Sequence, residues 1–375
     1  MKPLIVLGIM SGTSIDAVDY ALCRVSERRI ALLDHRQARF PAALQHRLHR
    51  AAQGKSSSHE TAQLHHDLGR FYARCAARFF GRTDLQLIGL HGQTIFHQTM
   101  EKQSATFQIG EPAYLVELLR APVVSNFRAA DLAAGGQGAP LATLFHRLVF
   151  GRKAAHVCVN NLGGISNVTS IDSTRGPNPK ILAFDTGPAN VLLDLAVQRF
   201  TRGRRKFDAD GKTAARGNIS EKILAGWLKH KYFFSRPPKS TGRELFGEPF
   251  LENALSEMRR AGLDEADALA NFTELTARSI AVNYAQHLPS PPHSLVLCGG
   301  GANNRFLEQR IRAALRRNNP DVEVGTADER GWPNQAVEPA AFALLAYYRW
   351  NGLAANFPET TGANRPALLG QISEP

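Results

Sequence analysis

The first informative pattern is a continuous apolar run over residues 4–9, followed by the turn-rich Ser11-Gly-Thr-Ser14, the aspartates Asp16 and Asp19, and a returning apolar piece, Tyr20-Ala-Leu-Cys-Arg-Val25. Short apolar runs bounded by turn residues predict buried strands, so the segment reads as strand, polar loop, returning strand. The same device recurs at His156-Val-Cys-Val-Asn160, the turn Asn161-Leu-Gly-Gly164, and residues 165–171. Each copy is followed by a strand signal and a helix signal: residues 85–90 then 115–119 after the first, residues 181–184 then 191–200 after the second. Two α/β domains built on one plan are the architecture this pattern predicts.

Farther along, Ser294-Leu-Val-Leu-Cys298 reads as a buried strand running into Gly299-Gly-Gly301. An amphipathic helix follows over residues 306–315, and residues 339–350 form an apolar core helix. The Gly- and Ala-rich stretch 131–140 is the expected crossing between domains, and residues 202–216 read as an exposed basic loop.

Composition narrows the classes. The 375 residues are 43% hydrophobic and 21% charged, which excludes a disordered or fibrous chain. A net charge of +12 favours acidic partners without choosing among them. The basic clusters lack interleaved aromatics, so no nucleic-acid groove is expected. No run approaches the ~20 apolar residues of a membrane span, and the N-terminal run is followed by aspartates rather than a cleavage site. The four dispersed cysteines, Cys23, Cys75, Cys158 and Cys298, fit reduced core residues of a cytoplasmic protein.

Three glycine clusters end strand-like runs: Gly12, Gly163-Gly164 and Gly299-Gly300-Gly301. Such turns let backbone N–H groups approach phosphate oxygens, although an ordinary tight turn is the alternative at each. Neither the P-loop pattern nor the dinucleotide G-x-G-x-x-G is present. Asp185, in Ala183-Phe-Asp-Thr-Gly-Pro-Ala-Asn190, stands at the carboxyl end of a strand, where α/β proteins collect catalytic groups. It is the candidate base, with a helix cap as the competing role. Asp16 and Asp19 are placed to hold Mg²⁺ against nucleotide phosphates, directly or through water, unless they only form the turn. Arg128 suits bidentate recognition of a carboxylate or else a structural role, and His91, Gln93, Thr94 and Glu338 are further polar candidates among small or apolar neighbours.

Taken together, Met10-Ser-Gly-Thr-Ser-Ile-Asp-Ala-Val-Asp19, Leu90-His-Gly-Gln-Thr94, Ile109-Gly-Glu111, Phe127-Arg128 with Gly135-Gly-Gln-Gly-Ala-Pro140, Asn161-Leu-Gly-Gly-Ile-Ser-Asn167, Phe184-Asp-Thr-Gly-Pro-Ala-Asn190 and Cys298-Gly-Gly-Gly-Ala-Asn303 closely resemble the anhydro-N-acetylmuramic acid kinase family. The resemblance implies two ribonuclease-H-like domains facing each other across a nucleotide- and sugar-binding cleft. The first would span 1–134, with about 340–375 packing back on it, and the second 135–339. It implies an ATP- and Mg²⁺-dependent sugar kinase that opens an anhydro amino sugar with water and phosphorylates O6 during cell-wall recycling, working as a homodimer. ATP would meet Ser11, Gly12, Thr13, Ser14, Ile15, Asp16, Ala17, Val18, Asp19, Asn161, Gly163, Gly164, Gly299, Gly300, Gly301 and Asn303. The sugar would meet His91, Gln93, Thr94, Arg128 and Glu338.

A kinase for another sugar acid and a non-catalytic nucleotide-binding regulator are the alternatives. Three positions depart from the family pattern: Ala17 and Ala189 stand where glycine is usual, and Asn126 where an aspartate usually precedes Phe-Arg. A positive φ at either alanine would cost roughly 1 kcal/mol, and Asn126 removes a charge expected to orient Arg128.

Overall fold

A computed structural model describes residues 1–98, 104–176 and 178–375. The chain divides into two compact units, residues 1–149 with 335–375, and residues 150–334.

The first unit is built on a sheet in the order β12-β6-β4-β1-β2-β3, with β5 paired to β4. Its strands are β1 (Leu4–Ser11), β2 (Ala17–Ser26), β3 (Arg29–Arg39), β4 (Leu87–Gln98), β5 (Ala105–Ile109), β6 (Val123–Ser125) and, from the chain's far end, β12 (Gln371–Ser373). The first three form an antiparallel meander, and β4 and β6 add in parallel beyond β1. Leu7, Ile9, Val18, Tyr20, Ile88 and Leu90 share a core with the inner faces of the helices Ala42–Ala52 and Ser58–Phe80.

The helix Asn334–Trp350 lies against the same sheet at two glycines in register, Gly8 of β1 and Gly89 of β4. A Cβ on Gly8 would strike the Pro339 carbonyl, and one on Gly89 the Phe342 carbonyl. Only glycine permits so close an approach. Pro339 therefore lies inside this helix rather than at its start.

The second unit repeats the plan. Its sheet runs β11-β10-β7-β8-β9, from β7 (His156–Leu162), β8 (Ile165–Asp172), β9 (Lys180–Pro188), β10 (Ser294–Cys298) and β11 (Glu323–Thr326). Again three strands form an antiparallel meander and two join in parallel beyond the first. Between β9 and β10 the chain makes a helical layer with its own core, including Phe233, Phe246, Leu251 and Phe272. Helix Glu265–His287 is tied to helix Arg305–Arg316 by the buried Glu274, which accepts from Arg278 Nε and Arg310 Nε at 2.6 Å each.

The division between units falls later than the expected 134/135, so residues 135–149 belong to the first unit, and residues 335–339 join it too. The cause is a buried polar clamp. Asp131 accepts from the Gly138 N–H at 2.7 Å, the Asn356 amide at 2.8 Å and the Thr361 hydroxyl at 2.7 Å. The Gln137 N–H donates to the Thr361 carbonyl at 2.8 Å. The stretch expected to be the crossing between domains is thus stitched to the tail that returns to the first unit's sheet.

Candidate active site

In the second unit the glycine turns stand side by side at the carboxyl ends of the parallel strands β7 and β10, where Asn161 and Cys298 are register partners. The start of helix Asn190–Phe200 braces the β7–β8 turn. The Asn190 side-chain amide donates to the carbonyls of Leu162 at 3.0 Å and Gly163 at 2.9 Å, and the Ala189 and Val191 N–H groups reach the Gly164 carbonyl.

The glycines differ in what they are for. Gly299 has φ +79°, and a Cβ on Gly301 would press on Leu162 at 2.7 Å and Asn190 at 2.9 Å. Those two are demanded by the fold. A Cβ on Gly300 would meet nothing within 4 Å, and one on Gly163, Gly164 or Gly12 only ordinary contacts at 3.6–3.8 Å. Packing does not require glycine there, and the bare backbone at these turns is open to approach. Asn303 is exposed beside this turn, its Oδ1 accepting from Asn334 at 3.3 Å.

Asp185 lies near the end of β9, opposite Asn167 and next to an irregularity that leaves Thr186 without a register partner. One segment encloses it. The Asp185 N–H donates to the Lys239 carbonyl at 3.1 Å, its own carbonyl accepts from the Tyr232 hydroxyl at 2.7 Å, and its Oδ2 accepts from the Thr241 N–H at 2.9 Å. Burial pushes the carboxyl up to about 7; the Thr241 N–H opposes this, Glu244 adds to it and Lys239 opposes it. A carboxylate with that proton affinity can accept and return a proton near neutrality. No side-chain cap is made at the start of helix Asn190–Phe200, whose N-terminal flank is Ala189, so Asp185 does not serve as its cap.

In the first unit, the β1–β2 loop is held from below. Gln93 Nε2 donates to the Gly12 carbonyl at 3.1 Å, Ser11 and Tyr72 share a 2.8 Å hydroxyl bond, and Gln45 holds the Ile15 carbonyl at 2.7 Å. Ile15 has φ +57°, a strained conformation for a β-branched residue. The side chains of Ser11, Ile15 and Val18 are buried, so these residues present backbone to the loop, while Thr13, Ser14 and Asp16 are exposed. Asp19 is partly buried on β2, where its Oδ1 accepts from Gln37 at 2.8 Å and lies 3.4 Å from His35. Among the described residues, no group of three or more His, Cys, Asp or Glu side chains stands together to hold a metal ion, so a cation at Asp16 and Asp19 would take most of its ligands from water. Gln93 Oε1 is buried without a hydrogen-bond partner.

Arg128 and His91 form a second cluster. Arg128 gives Nη2 at 2.9 Å and Nε at 3.2 Å to His91 Nε2, and Nη1 to the Gly138 carbonyl at 2.7 Å. A guanidinium only donates, so His91 carries its proton on Nδ1, which donates to the Gly92 carbonyl at 2.9 Å. Burial and then Arg128 hold His91 well below the usual histidine range, so it is neutral. Burial lowers Arg128 to about 10 against the opposing pull of Glu338 and Asp131, so it stays charged. These bonds use three of its five N–H groups. Thr94 Oγ1 accepts from Gln108 at 3.2 Å, and the His91 ring packs on Phe342 at 4.5 Å.

The three departures are absorbed locally. Ala17 has no positive φ, and Ala189 has φ −118°, so neither carries the glycine penalty. Asn126 has φ +54°, which asparagine tolerates, and its amide donates to Gln371 at 3.2 Å. Arg128 is oriented by His91 and Gly138 and not by position 126. Sequence reasoning missed Lys239, Thr241 and Glu244; the signal was a dense polar run after paired prolines, Pro237-Pro-Lys-Ser-Thr-Gly-Arg-Glu244. Thr241 Oγ1, like Gln93 Oε1, is buried without a partner.

Both units carry the same plan, an antiparallel meander with two strands added in parallel beyond its first strand, and the comparisons place the chain in the class of ATP-dependent sugar kinases. The model of the family described as "Anhydro-N-acetylmuramic acid kinase" matches residues 4–375, and the chain belongs to that family. The protein of that name from Crocosphaera subtropica is 40% identical over 98% of both chains. That from Synechocystis sp. is 40% identical over 98% of this chain and 97% of its own. Among solved structures, the activator of the 2-hydroxyisocaproyl-CoA dehydratase from Clostridium difficile with bound ADPNP aligns over 93% of this chain and 96% of its own, at 9% identity and a TM-score of 0.47. A ROK family glucokinase from Streptomyces griseus in complex with glucose and AMPPNP covers 91% of this chain and 97% of its own, at 14% identity and 0.39.

Proposed function

We propose that the chain uses ATP to convert 1,6-anhydro-N-acetylmuramic acid and water into N-acetylmuramic acid 6-phosphate and ADP, in recycling of the cell wall. The observation that carries this is family membership over residues 4–375, joined to a strand-end carboxylate whose burial suits it to proton transfer.

Asp185 takes a proton from water as the water oxygen bonds to the anomeric carbon. The bond from that carbon to O6 breaks, and O6 takes the γ-phosphoryl group, leaving ADP. The Thr241 N–H fixes the carboxylate on Oδ2, which leaves Oδ1 to receive the proton. Gly12, Gly163, Gly164 and Gly300 offer backbone to the phosphates, and Arg128 answers the sugar's lactyl carboxylate with a charge that does not titrate near neutrality. Asp16 and Asp19 would hold Mg²⁺ through water, and the ion would neutralise the phosphates. A cytoplasmic homodimer belongs to the same reading, supported by the family likeness. No described helix is long and apolar enough to cross a membrane.

The test is ADP release measured side by side with the anhydro sugar, the reducing sugar and no sugar. Release only with the anhydro sugar, yielding the 6-phosphate, is expected. Preference for the reducing sugar would assign a different acceptor, and sugar-independent ATP binding without turnover would assign a regulator.

A further inference from the structure

Lys239 is a buried lysine with no part in the proton transfer itself. Its Nζ donates to the carbonyls of Tyr232 at 3.1 Å and Phe233 at 3.3 Å, and lies 3.4 Å from His287 Nε2. An ammonium has three donors and no acceptor, so all three are engaged and His287 receives the third. The charge also sits over the Tyr232 ring at 4.8 Å and the Phe184 ring at 5.7 Å. Phe184 immediately precedes Asp185 on β9.

The segment thus closed on itself is the one that encloses Asp185. Tyr232 at one end bonds the Asp185 carbonyl, and Lys239 and Thr241 at the other bond its N–H and its carboxylate. We propose that Lys239 is a positioning residue for the reaction: its ammonium staples residues 232–241 around Asp185, and its positive charge favours the ionised carboxylate that receives the water proton. The proposal rests on the reading of Asp185 as the base.

Charged and titratable groups converge here from each packed element. They are Asp185 on β9, Tyr232 and Arg236 within the segment, His230 just before it and Glu244 just after it, and His287 on helix Glu265–His287. Burial lowers Lys239 to about 8, with Asp185 opposing, and burial followed by Lys239 lowers His287. The signs follow. Asp185 is ionised above about 7. Lys239 is charged below about 8. Activity therefore rises through the first value and falls through the second as the staple loses its charge. Once Lys239 is neutral, His287 Nε2 can donate instead to the Phe233 carbonyl 3.4 Å away.

The experiment is kcat/KM for the anhydro sugar against pH for the full-length wild type, Lys239→Met and Lys239→Arg, with ATP affinity by calorimetry. In Lys239→Met the acid limb moves up by about one pH unit, as loss of a nearby opposite charge requires, and kcat falls by about tenfold while ATP affinity holds. Lys239→Arg keeps the wild-type acid limb and loses the alkaline fall near 8. Limbs of Lys239→Met that superimpose on the wild type, at whatever amplitude, overturn the proposal. If Lys239→Met does not fold, an unchanged alkaline limb in Lys239→Arg overturns it. Asp185→Asn separates the two readings: normal turnover there removes the base assignment itself, whereas an inactive Asp185→Asn with unmoved Lys239 profiles removes only the staple.

Discussion

Asp185 in the second unit and Arg128 in the first are both ionisable groups withdrawn from water, and burial leaves them in opposite conditions. Desolvation lifts the carboxyl of Asp185 to about 7, into the range where it exchanges protons. The same effect brings Arg128 only to about 10, so its charge is permanent. Their supports differ accordingly. The carboxylate of Asp185 accepts from one backbone N–H, whereas Arg128 spends three donors on His91 and Gly138. The difference matches the proposed roles: a base keeps an acceptor uncommitted, while an electrostatic anchor gains from being fixed.

The largest break in this comparison is Asp185→Asn. Turnover should fall by about 10²–10⁴, or roughly 3–5 kcal/mol of barrier, with ATP binding intact by calorimetry. Near-wild-type turnover would leave the second unit without its base. Next is Asp131→Ala, which strands the Gly138 N–H, Asn356 and Thr361 together and should cost about 3 kcal/mol in chemical denaturation. Because Gly138 also holds Arg128, the KM for the sugar should rise in any folded fraction; an unchanged midpoint would show that the clamp is not structural.

A smaller effect distinguishes glycines that serve the fold from those that serve a ligand. Gly300→Val should weaken ATP binding by about tenfold at an unchanged unfolding temperature, while Gly301→Val should lower that temperature. Equal thermal losses would place both in the packing. Of similar size is Arg128→Lys, which keeps a charge but not the bonds to both His91 and Gly138. The KM for the sugar should rise about tenfold, roughly 1.4 kcal/mol, with that for ATP unmoved. Equal changes in both constants would make Arg128 a purely structural residue.

What the sequence disclosed was local. The two hairpins with their polar turns, the run from β10 into three glycines and the aspartate near the end of β9 all depend on neighbours a few residues apart, so apolar runs and turn residues reveal them. Strand β3 escaped because, of the edge strand Arg29–Arg39, only Ile30 is buried, so its sequence reads as a charged face. The enclosure of Asp185 escaped for another reason: Thr241 is 56 residues away, and a backbone N–H leaves no mark in the sequence. Likewise nothing near Asp131 announces partners 225 and 230 positions later. The partner of Asn126 is equally remote, since its side chain turns to Gln371 near the far end of the chain.

The return of the tail to the first sheet also bears on the order in which the protein is made. The strands β1 to β6 leave the ribosome early, yet the helix that covers Gly8 and Gly89, the partners of Asp131 at Asn356 and Thr361, and the strand β12 that pairs with β6 are all synthesised after the second unit. Residues 150–334 are contiguous and can close as soon as they emerge, while the earlier half must wait with one sheet face and one sheet edge uncovered. During that interval the nascent chain presents its most aggregation-prone surface, and how quickly residues 335–375 follow determines how long it does so.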